Sequence, residues 1–449
     1  MTLHSALLKY AILPLASWRM GNQFSKEYRL LLETQGWPRD RLRELQTERL
    51  LKILSHSFET VPFYREWLGD HGLEPSRFRE AEDLQNLPVL TKKDIQKEGP
   101  DRMVSSALAE RDRIPYSTSG STGEPFRFSV SNRFNGNKIA RYFREMTSWG
   151  IEPGTPFLKV WGAGRVPTPG QESEKSFFIK FLLRREEVLA FDLDVERAEA
   201  ILHWMASQRT PVLEAYTSSA CFLAKCASAI GLSLPALRTV VVSGETLTHS
   251  QETLLRETFD VRVVNAYGSR EFGKVAFTAP DDNGLVYSME DFYAEYLDLD
   301  PPDPEGRKRL ILTCFSNDAQ PFIRYDTGDL VVPASDDDSG IGLERWKQIS
   351  GRLAEQVTTP AGQHISVHFF TLLLEDLENE VLQFQIVVES PDQLVLLIVP
   401  GPEYREEFKG PLQDKIEEHV GEGMEVEIRL VDSIPVTGDG KRPLLRKLV

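Results

Sequence analysis

Between residues 116 and 128 the chain reads "YSTSGSTGEPFRF", in which Ser117, Thr118, Ser119, Ser121 and Thr122 crowd around Gly120 and Gly123. Such hydroxyls, with backbone N–H groups left unshielded at the glycines, suit the enclosure of a polyanion. A surface turn before a strand reads much the same way, because Gly and Ser punctuate loops everywhere. A loop of the Gly-Lys-Ser/Thr kind is excluded, since "GSTGEP" offers no lysine for outer phosphates. Any phosphate held here is held by hydroxyls and amides.

The composition bounds what the rest of the chain does. With 449 residues it is long enough for two or three domains, and its 41% hydrophobic and 27% charged shares are those of a soluble globular protein. Fifty-two basic residues stand against 68 acidic ones, and the net charge of −16 opposes general affinity for nucleic acid. Cys221, Cys226 and Cys314 do not pair off and show no metal-ligand spacing, which points to a reducing, cytoplasmic setting without a disulfide framework. The apolar opening "LLKYAILPLASW", interrupted by Lys9 and Pro14, is too short to span a bilayer. It reads as a helix packed on the body, with light membrane contact as the lesser reading and no integral membrane association.

The elements that must carry the loop follow from periodicity. Leu42, Leu45, Leu50, Ile53, Leu54 and Phe58 form one helical stripe that Pro62 should stop, and Thr91 can cap a further short helix, so residues 1–100 are mostly helical. Strand-like and helical runs then alternate: "FRFSVS", "FNGNKIARYFREMTSWG", "FLKVWGA", "VERAEAILHWMASQ", "VLEAY", "SSACFLAKCASAIG", "LRTVVVSGE", "THSQETLLRETF" and "VRVVNAYGS". Such alternation predicts an α/β fold whose mainly parallel sheets are covered by helices. Ligands of such sheets collect where strands end, which marks "VSGETL" and "NAYGSREFG". The runs "AEYLDLD", "KRLILTCF" and "GDLVVP" read as antiparallel strands of a small barrel-like subdomain. Residues 1–350 are read as the large domain, and 351–449, with "FQIVVES", a "PDQ" turn, "LVLLIVP", an acidic helix and "EVEIRLVD", as a small α+β domain.

Five loops in register, "STSGSTGEP", "SGET", "NAYGSRE", "RYDTGDL" with "GRLAEQV", and "VTGDGKRPLLR", resemble the adenylate-forming superfamily of acyl-CoA synthetases, luciferases and peptide-synthetase adenylation domains. The phenylacetate-CoA ligase-like and capsule-biosynthesis-like branch is the nearest, and the likeness covers nearly the whole chain. It implies ATP-dependent activation of a small-molecule carboxylic acid to an acyl-adenylate with pyrophosphate release. Acyl transfer to a thiol, most often coenzyme A, would follow; an amine acceptor and a catalytically retired nucleotide binder are the alternatives. It also implies that the small domain is mobile.

By the same resemblance, Ser119, Gly120, Ser121, Thr122 and Gly123 hold the β and γ phosphates. Gly244 and Glu245 lie along the adenine, while Asn265, Tyr267 and Gly268 contact the base. Glu271 binds magnesium and Asp329 accepts the ribose hydroxyls. Arg352 reaches ribose and phosphate, and Lys441 bridges the α-phosphate and the carboxylate in the transition state. Trp161, Tyr216 and Ser218, just before the nucleotide loops, are the expected acid pocket, although core packing explains them about as well. Two departures from the family pattern stand out. Arg270 replaces a hydroxyl residue, which makes a phosphate contact there ionic. Ala354, beside Glu355, occupies a place where a hinge Asp or Lys is common. Some relatives carry a Cys/His zinc site after the "YG" motif, and "KVAFTAPDDNGLVYSME" has neither residue, so no zinc is expected.

Overall fold

The computed structural model describes residues 3–19, 21–118, 126–161, 183–190, 193–281, 283–300, 302–303, 305–335, 342–352, 356–360, 364–374, 377, 380–421, 423–434 and 443–448. The chain divides into two compact units, one of residues 1–155, 177–184 and 264–350, the other of residues 156–176, 185–263 and 351–449.

In the first unit the helix Arg39–Thr60 buries Leu42, Leu50, Ile53, Leu54 and Phe58, as the spacing predicts. Pro62 stops that helix and starts the next, Pro62–Asp70, where its missing N–H costs nothing. Thr91 caps Lys92–Glu98: its hydroxyl accepts from Asp94 N at 3.3 Å while the Asp94 carboxylate accepts from Thr91 N at 2.8 Å. A cap of this kind contributes about 1 kcal/mol. Seven strands lie side by side in the order Phe292–Leu297, Lys308–Cys314, Tyr325–Pro333, Arg345–Arg352, Leu285–Tyr287, Gly273–Thr278 and Arg262–Ser269, the last entering this unit at Val264. The runs read as antiparallel are so: Phe292–Leu297 and Tyr325–Pro333 both pair antiparallel with Lys308–Cys314. A separate hairpin joins Arg113–Thr118 to Phe126–Ser131, closing at Thr118 opposite Phe126.

The parallel pairing expected of the alternating runs is found in the second unit. There Thr239–Ser243, Val212–Tyr216, Phe157–Trp161 and Arg185–Leu189 are neighbours in that order, all parallel. "VLEAY" and "TVVVS" are buried at every position, the signature of strands covered on both faces. The helices Val195–Gln208, Thr217–Ala229 and His249–Phe259 add Leu202, Leu223 and Leu255 to the same core. Beyond Ser269 only three residues precede the next strand, Gly273–Thr278, too few for a crossover, so the chain turns back antiparallel. Later in the second unit Glu425–Leu430, Gln393–Pro400, Val381–Ser390 and Leu445–Lys447 form a four-stranded sheet. Its core is its own, closed by Leu412, Ile416 and Val420 of the helix Lys409–Val420.

Candidate active site

The "DTGD" run is built as a bulge. Leu330 pairs with Arg309 and Asp326 with Ile311, which leaves Thr327, Gly328 and Asp329 facing the single residue Leu310. Gly328 takes φ +73°, a conformation that disfavours other residues. Local bonds hold the shape: Thr327 Oγ1 donates to Leu310 O at 2.8 Å, Gly328 N to Asp326 Oδ1 at 2.9 Å and Asp329 N to Thr327 Oγ1 at 3.1 Å. Arg309 pairs with Asp326 from the neighbouring strand. The bulge therefore fixes the backbone under the Asp329 carboxylate, a side chain only 7% exposed. Tyr267 Oη donates to Asp329 Oδ2 at 2.6 Å, joining two segments 62 residues apart. The Tyr267 ring meets Trp346 edge to face at 5.5 Å. On the same strand Asn265 bonds Thr278 through its backbone, and its side-chain amide makes no hydrogen bond to a described residue.

Tyr267 leads into the turn that carries Arg270 and Glu271. The register shifts between Tyr267 and Gly268, and a Cβ on Gly268 would lie 2.2 Å from Gly273 O, so only glycine allows this approach. Arg270 Nη1 donates to Ser117 O at 3.2 Å, tying the turn to the stem of the Ser/Thr/Gly loop. The Glu271 carboxylate makes no ion pair or hydrogen bond to a described residue. Beneath the turn lies Arg141, fully buried, whose Nη2 donates to Phe272 O at 2.7 Å and whose Nε donates to Lys274 O at 3.3 Å. Its charge is met by Asp291, which also accepts from Ser316 Oγ at 2.8 Å. One turn along the same helix, Asn132–Ser148, Arg144 meets Glu290 at 3.0 Å.

In the second unit the chain leaves the middle of the parallel sheet in both directions. It runs from Phe157–Trp161 outward to Arg185–Leu189, and from Val212–Tyr216 outward to Thr239–Ser243. The carboxyl ends of the two middle strands thus flank a topological switch point, where open α/β sheets bind ligands. Those ends are Trp161 and Tyr216, stacked with centroids 4.1 Å apart. Gly244 takes φ +83° and lies against them; a Cβ there would come within 2.9 Å of the Tyr216 ring. Glu245 reaches the first turn of the helix Thr217–Ala229, accepting from Ser218 N at 2.7 Å and Ser218 Oγ at 3.0 Å. A carboxylate suits that end, where helix N–H groups lack partners. Lys159 stands beside this group, 4.5 Å from the Trp161 ring and 3.3 Å from the fully buried Glu214. Burial pulls the Lys159 ammonium below its ordinary value, with Glu214 opposing the shift.

Each unit thus gathers part of the expected set. Asn265, Tyr267, Gly268, Arg270, Glu271 and Asp329 lie in the first, and Trp161, Tyr216, Ser218, Gly244 and Glu245 in the second. Ser119, Gly120, Ser121, Thr122, Gly123, Ala354, Glu355 and Lys441 lie outside the described residues, as does the side chain of Arg352. Sequence reasoning missed Arg141, Asp291 and Trp346. The one signal for Arg141 and Arg144 was their place on the helical face of Phe134, Asn137 and Ala140, all buried.

Comparison with known proteins agrees with the loops. A family pattern described as the CapK C-terminal domain matches residues 357–446. The phenylacetate-coenzyme A ligase of Thermus thermophilus is 27% identical over 326 residues, covering 66% of this chain and 67% of that protein. That of Escherichia coli is 24% identical over 369 residues, covering 77% of each. Among solved structures, 2-hydroxyisobutyryl-CoA ligase in the postadenylation state with 2-HIB-AMP superposes with a TM-score of 0.72 at 21% identity, covering 92% of this chain and 91% of that one. The amide bond synthetase McbA from Marinactinospora thermotolerans shares the fold at a TM-score of 0.51 and 16% identity, over 93% of this chain and 97% of its own. With its motif loops in order and relatives of one kind along most of its length, the chain is phenylacetate-CoA ligase-like, a likeness that supports an adenylate-forming ligase.

Proposed function

We propose that the protein activates a small-molecule carboxylic acid with ATP and passes the acyl group to the thiol of coenzyme A. A carboxylate oxygen attacks the α-phosphorus, the bond to the β-phosphate bridge breaks, and pyrophosphate leaves. The thiol sulfur then bonds to the acyl carbon as AMP departs. Aligning anions and offsetting their charge is most of what the protein must supply. The observation that carries the reading is the bond from Tyr267 Oη to Asp329 Oδ2, which gives the bulged carboxylate a fixed place beside an aromatic ring. Asp329 would accept the ribose hydroxyls, with Asn265 and Tyr267, and Gly244 and Glu245, serving the base. The Ser119 to Gly123 loop and Arg270 would take the phosphates. The half-exposed Glu271 carboxylate, a hard oxygen donor, fits magnesium, which would neutralise phosphate charge. Trp161, Tyr216 and Ser218 would receive the acid, and residues 351–449 would form the small domain that brings Arg352 and Lys441.

The test is acid-dependent exchange of labelled pyrophosphate into ATP across a panel of carboxylic acids, followed by thioester detection with coenzyme A. Exchange with at least one acid, lost in Asp329→Ala, is expected. No exchange with any acid, despite retained ATP binding, would overturn the reading in favour of a retired nucleotide binder. Product formed with amines but not with coenzyme A would assign the amide-forming alternative.

A further inference from the structure

Residues 3–19 are helical but not uniformly so. The α-helices Leu3–Leu7 and Leu13–Arg19 flank one π-helical turn, Leu8–Ile12, in which Leu13 N–H bonds Leu8 O. The wider turn lies directly before Pro14, whose ring would otherwise meet the carbonyl of Tyr10. The inner side of this helical run is anchored: Ser5, Leu8, Leu13 and Ser17 are buried, and Leu13 packs with Phe24, Tyr28 and Leu31 of the following helix, Phe24–Thr34.

The outer side breaks the usual rule for a helix lying on a globular body, which turns polar residues to water. Leu3 is 89% exposed, Leu7 54%, Tyr10 68%, Leu15 64% and Trp18 80%. They are five of the eleven large apolar side chains most exposed among the described residues, all within sixteen positions. Exposed charge in the neighbourhood is mainly basic. From residue 3 to the end of the helix Phe24–Thr34 the exposed charged residues are Arg19, Lys26 and Arg29 against Glu33, in a chain of net charge −16. Glu27 is buried against Arg49 at 2.6 Å, and Lys9 is half-buried with Glu152 at 3.6 Å.

We propose that this outer stripe docks the protein on the surface of an anionic lipid bilayer. Leu3, Leu7 and Leu15 would enter the acyl boundary, Tyr10 and Trp18 would lie at headgroup depth, and Arg19, Lys26 and Arg29 would meet lipid phosphates. No helix among the described residues is long and apolar enough to cross a membrane, so this is attachment in the plane of the interface. A second copy of the chain is the less suitable occupant, because pairing the stripes would bring two sets of the same three cations together between two bodies of net charge −16.

The experiment is co-sedimentation of the full chain with vesicles of phosphatidylglycerol and phosphatidylcholine, and with vesicles of phosphatidylcholine alone. Binding to the anionic vesicles, weakened by added salt, is expected, with little on the neutral ones. The double variant Leu7→Ser/Trp18→Ser should bind at least roughly tenfold more weakly, and Arg19→Glu/Lys26→Glu should remove the preference for anionic lipid. Acid-dependent pyrophosphate exchange unchanged in both variants would show the fold intact. The proposal is overturned if the wild-type chain stays in solution with either vesicle, or if the apolar variant binds as well as wild type. Concentration-dependent dimerisation abolished by Leu7→Ser/Trp18→Ser, without vesicle binding, would assign the stripe to a second copy instead.

Discussion

Tyr267 Oη and Asp329 Oδ2 lie 2.6 Å apart, so the carboxylate held on the bulge has one of its oxygens engaged by the protein itself. Tyr267→Phe removes that donor while leaving the ring against Trp346. The expected loss of stability is about 1 kcal/mol, the net worth of one hydrogen bond. If Asp329 orients the ribose, KM for ATP in pyrophosphate exchange should rise roughly tenfold with a smaller change in kcat. An unchanged KM for ATP would detach Asp329 orientation from nucleotide binding.

Gly268 has no room for a side chain. In Gly268→Ala the new methyl would stand 2.2 Å from Gly273 O, a backbone atom that yields only if the turn opens. The expected cost is about 3 kcal/mol, at the upper end for overpacking. Thermal unfolding of the two proteins reads this directly, and equal midpoints would mean that the register shift at Tyr267 relaxes freely.

Arg141 tests whether the turn at Arg270 and Glu271 needs its buried support. Arg141→Met alone leaves Asp291 without its cation and should cost about 3–5 kcal/mol. Arg141→Met/Asp291→Leu removes both charges and should recover most of that loss, yet it cannot restore the bonds to Phe272 O and Lys274 O. The double variant should therefore fold while needing several times more magnesium for half-maximal exchange. Wild-type magnesium dependence in the folded double variant would show that Arg141 supports the fold alone.

A carboxyl at the edge of the first unit supplies a pH signature. Asp281 Oδ1 accepts from Arg345 Nη1 and Oδ2 from Nη2, both at 2.7 Å, and this hydrogen bonding holds the Asp281 carboxyl below its ordinary 3.8. A depressed folded value means that the stabilisation is fully present above the ordinary value and is lost as pH falls below about 4 toward the folded value. Because Asp281 is about half exposed, the effect is modest, about 0.5–1 kcal/mol. Asp281→Asn should lower stability at pH 7 and flatten its decline between about pH 4 and pH 2. Parallel acid profiles for the two proteins would exclude the pair as a contributor.

Trp161 and Tyr216 offer a separable test of the acid pocket. Trp161→Ala should change the order of preference among carboxylic acids in exchange assays, with KM for the original acid rising about tenfold and KM for ATP little altered. Equal effects on both substrates would return the stacked pair to core packing.

The sequence was most informative where a residue type has few uses. Strand ends marked the segment that holds Tyr267 and Gly268, the family resemblance singled out Asp329, and periodicity found the helices Arg39–Thr60 and Thr217–Ala229. The bulge under Asp329 was not legible, because a register shift depends on which neighbour a strand acquires, and nothing in "RYDTGDL" names Lys308–Cys314 as that neighbour. Arg141 was hidden for another reason. Charged residues in a helix usually mark its wet face, and only the fold reveals that "RYFRE" faces Asp291 and Glu290. The antiparallel half of the strands was foreseen from Ala294 onward. Its earlier start at Gly273 follows from a connection of three residues that reads in sequence as ordinary loop.

Glu245 grips the amide and hydroxyl of Ser218, so the segments that follow two neighbouring parallel strands are latched to each other. Neither can drift alone. A substitution that reshapes the lining at Ser218 also disturbs Glu245, and the reverse holds as well. If Ser218 receives the acid and Glu245 serves the base, as proposed, then retuning the choice of acid at this latch would perturb the grip on nucleotide as well, and one scaffold could not change the first without a loss in the second.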